Sequence, residues 1–133
     1  MPVWRIMPAD TLGILLISGS HDRAHYAYVM ASGAAAVGRR VVLFATNTGC
    51  HAVLHDWSGL EDAGRDAAIQ QQGVAGLETL RAAARELGVR VIACTAGLRM
   101  AGLHGHALAD GVEAAGVATF LEAVGGGGQV ISL

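Results

Sequence analysis

The sequence predicts an α/β fold: three layers, doubly wound, a mostly parallel sheet of about five strands, and helices on both faces. Three observations carry this. Residues 12–17 and 41–44 are short apolar runs, and 89–93 is apolar but for Arg90, the pattern of strands buried on both sides. Between them lie helical stretches at 23–37 and 77–87. Short connections joining strand to helix to strand imply right-handed crossovers and parallel pairing.

In chain order, residues 1–10 read as a short arm without the apolar core of a signal peptide. Residues 12–17 (Leu-Gly-Ile-Leu-Leu-Ile) give the first strand, and the polar turn 18–22 supplies capping residues. A helix follows over 23–37, with Ala27, Ala31, Ala34 and Ala35 on a small-residue face and Gly38 as its stop. The second strand is 41–44. Residues 46–76 are too long for a structureless loop and predict a short helix from Cys50, then a lid or an oligomer contact holding Trp57. Leu77, Leu80, Ala84 and Leu87 make one apolar stripe, with Glu78, Arg81 and Arg85 off it. The third strand is 89–93, followed at once by Cys94 and one or two helical turns within 95–103. Helices at 107–115 and 117–124, a four-glycine turn at 125–128 and a last strand at 129–133 complete one domain over 1–133.

Composition narrows the classes. The chain is 53% hydrophobic and 15% charged, a balance that builds a core and excludes disorder. No apolar stretch is long enough to span a membrane. The net charge is −2, all basic residues are Arg, and no basic stripe marks a nucleic-acid surface. Two cysteines are too few for a secreted disulfide scaffold, so the expected compartment is the cytoplasm.

Ligands of doubly wound sheets sit beyond the carboxyl ends of the strands. Segments 18–22, 46–51 and 94–98 belong there. Cys94 is the leading candidate for chemistry, because a helix start favours thiolate over thiol and the thiolate is the attacking form. The plainer alternative is a buried, inert Cys. Cys50 holds the matching place after the second strand and could approach Cys94 as a redox pair. His21 and His25, four apart, share a helix face if that helix begins early. Cys50, His51 and His55 offer metal-ligand chemistry, but their spacing matches no zinc motif, and neither a metal nor a cofactor is expected. A milder role for His21 or His51 is tuning the Cys94 thiolate. Ser18, Gly19, Asn47 and Gly97 are the candidate anion or ligand pocket. Arg99 is read as solvated, and Met30 and Met100 as core.

These fragments resemble the DsrE/DsrF-like superfamily of small sulfur-relay proteins, in its peroxiredoxin-like branch. The resemblance runs from Leu12 to Leu133: Gly13 to Gly19, then 41–49 (Val-Val-Leu-Phe-Ala-Thr-Asn-Thr-Gly), then 88–94 (Gly-Val-Arg-Val-Ile-Ala-Cys), then 108–118. It implies that Cys94 carries sulfane sulfur as a persulfide between donor and acceptor proteins, as a sulfurtransferase or sulfur carrier. It also implies a homo-oligomer, a trimer or hexamer. This chain has Gly97 and Leu98 where the branch often has Ser and Met, which removes a hydroxyl able to bond a sulfur anion. The competing function is a non-catalytic ligand- or metal-binding oligomeric module in which Cys94 is only buried.

Overall fold

The computed structural model describes residues 10–133; the arm read over the leading residues falls outside them, Asp10 excepted. The elements run β1 (Leu12–Leu16), α1 (His21–Ala36), β2 (Val41–Ala45), a 3₁₀ segment (Asn47–Val53), α2 (Arg65–Gln71), α3 (Leu77–Glu86), β3 (Arg90–Cys94), α4 (Thr95–Met100), β4 (Glu113–Ala115), α5 (Val117–Val124) and β5 (Gln129–Ser132). The strands form one five-stranded sheet in the order β4-β3-β2-β1-β5, and every pairing is parallel. The doubly wound α/β architecture expected from the apolar runs is therefore present.

The two faces are covered unequally. Ile14, Leu16, Leu43 and Ala93 point toward α1 and α3, where Ala24, Ala27, Ala31 and Ala84 bring the helices close. Small side chains explain how an Ala-rich helix can sit on a sheet, at the cost of little area buried per residue. Val42, Phe44, Ile92 and Cys94 point the other way, where Phe120 and Val124 of α5 meet them. The Phe44 and Phe120 rings stack with centroids 4.9 Å apart. One helix of eight residues thus seals the second face, and Val117 and Leu121 on it remain more than half exposed.

Local signals set most boundaries. Helix α1 starts at His21, two residues earlier than expected, because the Ser20 side chain accepts the Arg23 N–H as an N-cap. Several expectations are corrected. Residues 107–115 are not helical. His55 N–H donates to Ala107 O, Ala109 N–H to Val53 O, and Gly111 takes a φ of +78° that ends any helix; the segment then turns into β4. Short-range pattern missed this because the competing partners lie about fifty residues away in sequence. Residues 46–76 hold a 3₁₀ segment beginning at Asn47 and the separate helix α2, rather than a helix from Cys50.

Trp57 is no free lid: its indole N–H donates to Glu78 Oε2 at 3.0 Å and its ring packs against the first core. Arg81, placed off the apolar stripe of α3, lies on the buried face at 9% exposure, while Leu87 is 46% exposed. Its guanidinium reaches the carbonyls of Leu54 (2.8 Å) and Ala52 (3.3 Å), acceptors left open where the 3₁₀ segment ends. Met100, expected in the core, is 77% exposed, whereas Met30 packs against it.

Because Phe120 is the main plug of the thinner face, Phe120→Ala is expected to destabilise the fold by about 3–5 kcal/mol. Urea unfolding of the variant beside the parent checks this. A loss below about 1 kcal/mol would mean that the face collapses around the cavity.

Candidate functional site

The three strand-end segments do meet. Thr46 N–H donates to Leu16 O, and Gly49 N–H and Thr48 Oγ1 donate to Ile17 O, so the 3₁₀ segment lies across the end of β1. The start of α4 packs on the same segment. A Cβ on Gly97 would stand 2.4 Å from Thr46 Oγ1 and 2.5 Å from Asn47 N, which only a glycine avoids. Asn47 itself adopts the left-handed region, with φ 52°.

Cys94 ends β3 and caps α4. Its sulfur accepts the Gly97 N–H at 3.3 Å. Strand alternation turns it to the α5 face, among Ile92, Phe44 and Phe120, where it is 8% exposed. Cys50 is fully buried on the opposite side of the sheet, its thiol directed at Ala45 O. Burial, with the neighbouring Cys94 adding to it, pushes the Cys50 thiol up to about 11, so it stays protonated at neutral pH. Both cysteines are free thiols.

The remaining candidates divide into two groups. Ser18, Gly19 and His51 line a cavity of about 460 Å³ with Ser20, Thr48, Gly59 and Glu61, at the end of β1 and the start of α1. Asn47 and Gly97 form the backbone contact described above and are outside that lining. His21 is 1% exposed, and its Nε2–H donates to Asp66 Oδ1 at 2.7 Å. It stacks on His25 (centroids 5.6 Å apart) and tilts toward Trp57. Among the described residues no three His, Cys, Asp or Glu side chains converge as metal ligands.

Asp66 escaped the sequence reading, since its partner lies 45 positions away and nothing local marks it. It ties three helices: His21 of α1, Gln70 of its own helix, and the Leu77 N–H that opens α3 all donate to it. Burial pushes the carboxyl up, but the bonds from His21, Leu77 and Gln70 outweigh it and hold Asp66 below its ordinary value.

The central and C-terminal part of the chain, residues 51–127, matches the model of the DsrE/DsrF/DrsH-like family. The chain belongs to this family. A curated relative, the uncharacterised protein YrkE of Bacillus subtilis, is 27% identical over 139 aligned positions, covering 81% of this chain and 87% of that one. Two solved structures share the fold. The protein of unknown function MTH1491 from Methanobacterium thermoautotrophicum has a TM-score of 0.61 at 19% identity, covering 93% of this chain and 99% of its own. The ychN protein of E. coli has a TM-score of 0.64 at 14% identity, covering 94% and 99%. Among the described residues of this DsrE-like chain, no helix is long and apolar enough to cross a membrane.

Since the folded DsrE-like domain holds Asp66 below its free value, its stabilisation is complete above about pH 4 and is lost as pH falls through the lower folded value. Asp66→Asn is expected to cost about 1–3 kcal/mol at neutral pH. Denaturant unfolding of both proteins should show that gap narrowing only in acid. A gap that stays constant down to the acid limit would remove the carboxylate from the account.

Proposed function

We propose that this protein is a cytoplasmic sulfur-relay domain, spanning residues 1–133, that carries sulfane sulfur on Cys94 and passes it between partner proteins. The observation that carries the reading is the Gly97 N–H donated to Cys94 Sγ at 3.3 Å, at the start of a helix beyond a central strand. A sulfur anion needs such donors. Family membership supports the same class of role.

The step needs no external oxidant. The Cys94 thiolate attacks the outer sulfur of a donor persulfide. A new S–S bond forms at Cys94, the donor's S–S bond breaks, and the donor departs as a thiolate that takes up a proton. An acceptor thiolate repeats the exchange on the outer sulfur of Cys94. Cys50, protonated and sealed in the core, takes no part while the fold is intact. The cavity by Ser18, Gly19 and His51 would seat an anionic group near the opening of α1.

A specific observation favours a second reading, a binding module with an inert cysteine. Cys94 is only 8% exposed and lies among apolar side chains. Mass spectrometry after incubation with a small persulfide donor separates the two. The relay predicts a gain of one sulfur on Cys94, absent in Cys94→Ala, and rapid alkylation of the native thiol at neutral pH. An unmodified, alkylation-resistant Cys94 in folded protein would establish the module instead.

The relay domain is proposed to work as a homo-oligomer, a trimer or hexamer. Val117, Leu121 and Val130 are 45–57% exposed on α5 and β5, apolar surface of the kind that copies cover. Sedimentation should show an oligomer that Leu121→Glu weakens; a monomeric parent would exclude this assembly.

A further inference from the structure

A different cavity, of about 140 Å³, lies between α1, α3 and the loop 109–112 leading into β4. Its helices belong to the face opposite the Cys94 cluster, so it is separate from the relay reading. Val89, Val91 and Val112 give it apolar walls, and Tyr28, Arg81 and Arg85 give it donors.

Tyr28 is 2% exposed, yet its hydroxyl finds no hydrogen-bond partner among the described residues and belongs to the lining of this cavity. The hydroxyl opens into the cavity rather than being sealed off, so a molecule seated there can take its hydrogen. Arg81 is 9% exposed and spends one terminal nitrogen, Nη1, on the carbonyls of Ala52 and Leu54. Nη2 makes no bond within the described protein. Arg85 is occupied by Asp110 at 3.2 Å. Glu78 lies 3.9 Å from Arg81 Nε, so the two arginines and two carboxylates around the cavity balance.

We propose that this cavity binds a small monocarboxylate, its carboxylate held between the Tyr28 hydroxyl and the Arg81 guanidinium. The planar guanidinium matches a carboxylate, and the hydroxyl adds a donor beside it. Burial keeps the phenol at about 12, although Arg81 pulls the other way, so Tyr28 donates at any physiological pH. With Arg85 committed to Asp110 and Glu78 also holding the Trp57 indole, one uncommitted guanidinium edge at Arg81 suits one carboxylate and disfavours a polyanion. A cavity of about 150 Å³ takes a molecule the size of benzene, which sets the limit near six non-hydrogen atoms.

The test is an NMR titration of the whole chain with propionate, and with propionamide as its neutral counterpart. Propionate is expected to give saturable shifts at Tyr28, Arg81 and residues 109–112, with propionamide binding about tenfold more weakly. Tyr28→Phe removes one oxygen and should weaken propionate by about tenfold, with thermal unfolding confirming the fold. Equal affinity for acid and amide, shifts confined elsewhere, no shifts at all, or a folded Tyr28→Phe with unchanged affinity would each overturn the proposal. Should the variant not fold, the acid-against-amide comparison on the parent decides alone.

Discussion

Main chain meeting main chain at the carboxyl ends of β1, β2 and β3 is the constraint on which the site rests. The loop after β2 is hydrogen-bonded across the end of β1, and α4 presses its Gly97 onto that same loop. Side chains have no room in this contact. The direction in which Cys94 points follows from it, because the strand's pleat and the start of α4 leave the sulfur one orientation, under the Gly97 N–H of the helix it caps. The sulfur is positioned by backbone packing, with no side chain reaching out to hold it.

A parallel sheet needs both faces covered, and this one divides the work unevenly. Two helices and a polar clamp secure the first face. The clamp is Asp66, which gathers the openings of α1 and α3 through His21 and the Leu77 N–H. The second face depends on one short helix and a pair of stacked phenyl rings. Stability therefore concentrates on the side away from Cys94, while the sulfur sits under the thinner cover. Such an arrangement keeps Cys94 dry under the less firmly secured of the two covers.

Much of this was legible in the residues. β1 and β2 announce themselves as apolar runs and β3 as one interrupted only by Arg90, and α3 and α5 appear with nearly the right bounds. The place of Cys94, at a strand's end and a helix's start, followed from local pattern alone. What stayed hidden was whatever depends on distant partners. Residues 107–115 carry helix-forming alanines, yet pairing with 53–55 and with β3 outweighs that preference. Arg81 looks like a solvent-facing charge until the open carbonyls of Ala52 and Leu54 are placed beside it. His21 and Asp66 had no shared signal. Residues that all follow strands look alike in sequence; pleat and loop path set Cys94 on the α5 face and leave Ser18, Gly19 and His51 around a cavity that Asn47 and Gly97 do not line, information that a linear pattern does not hold.

The edge strand β5 follows the other described elements in sequence, and it pairs with the first, β1. Helix α5 just before it is what spans the second face. A chain that has folded β1 to β4 without α5 and β5 therefore leaves the sheet open along β1 and the Cys94 face uncovered. Contacts this far apart in sequence form slowly, and bare apolar strands invite association meanwhile. The partly folded domain thus has its thiol unshielded, and α5 is the element whose docking covers it.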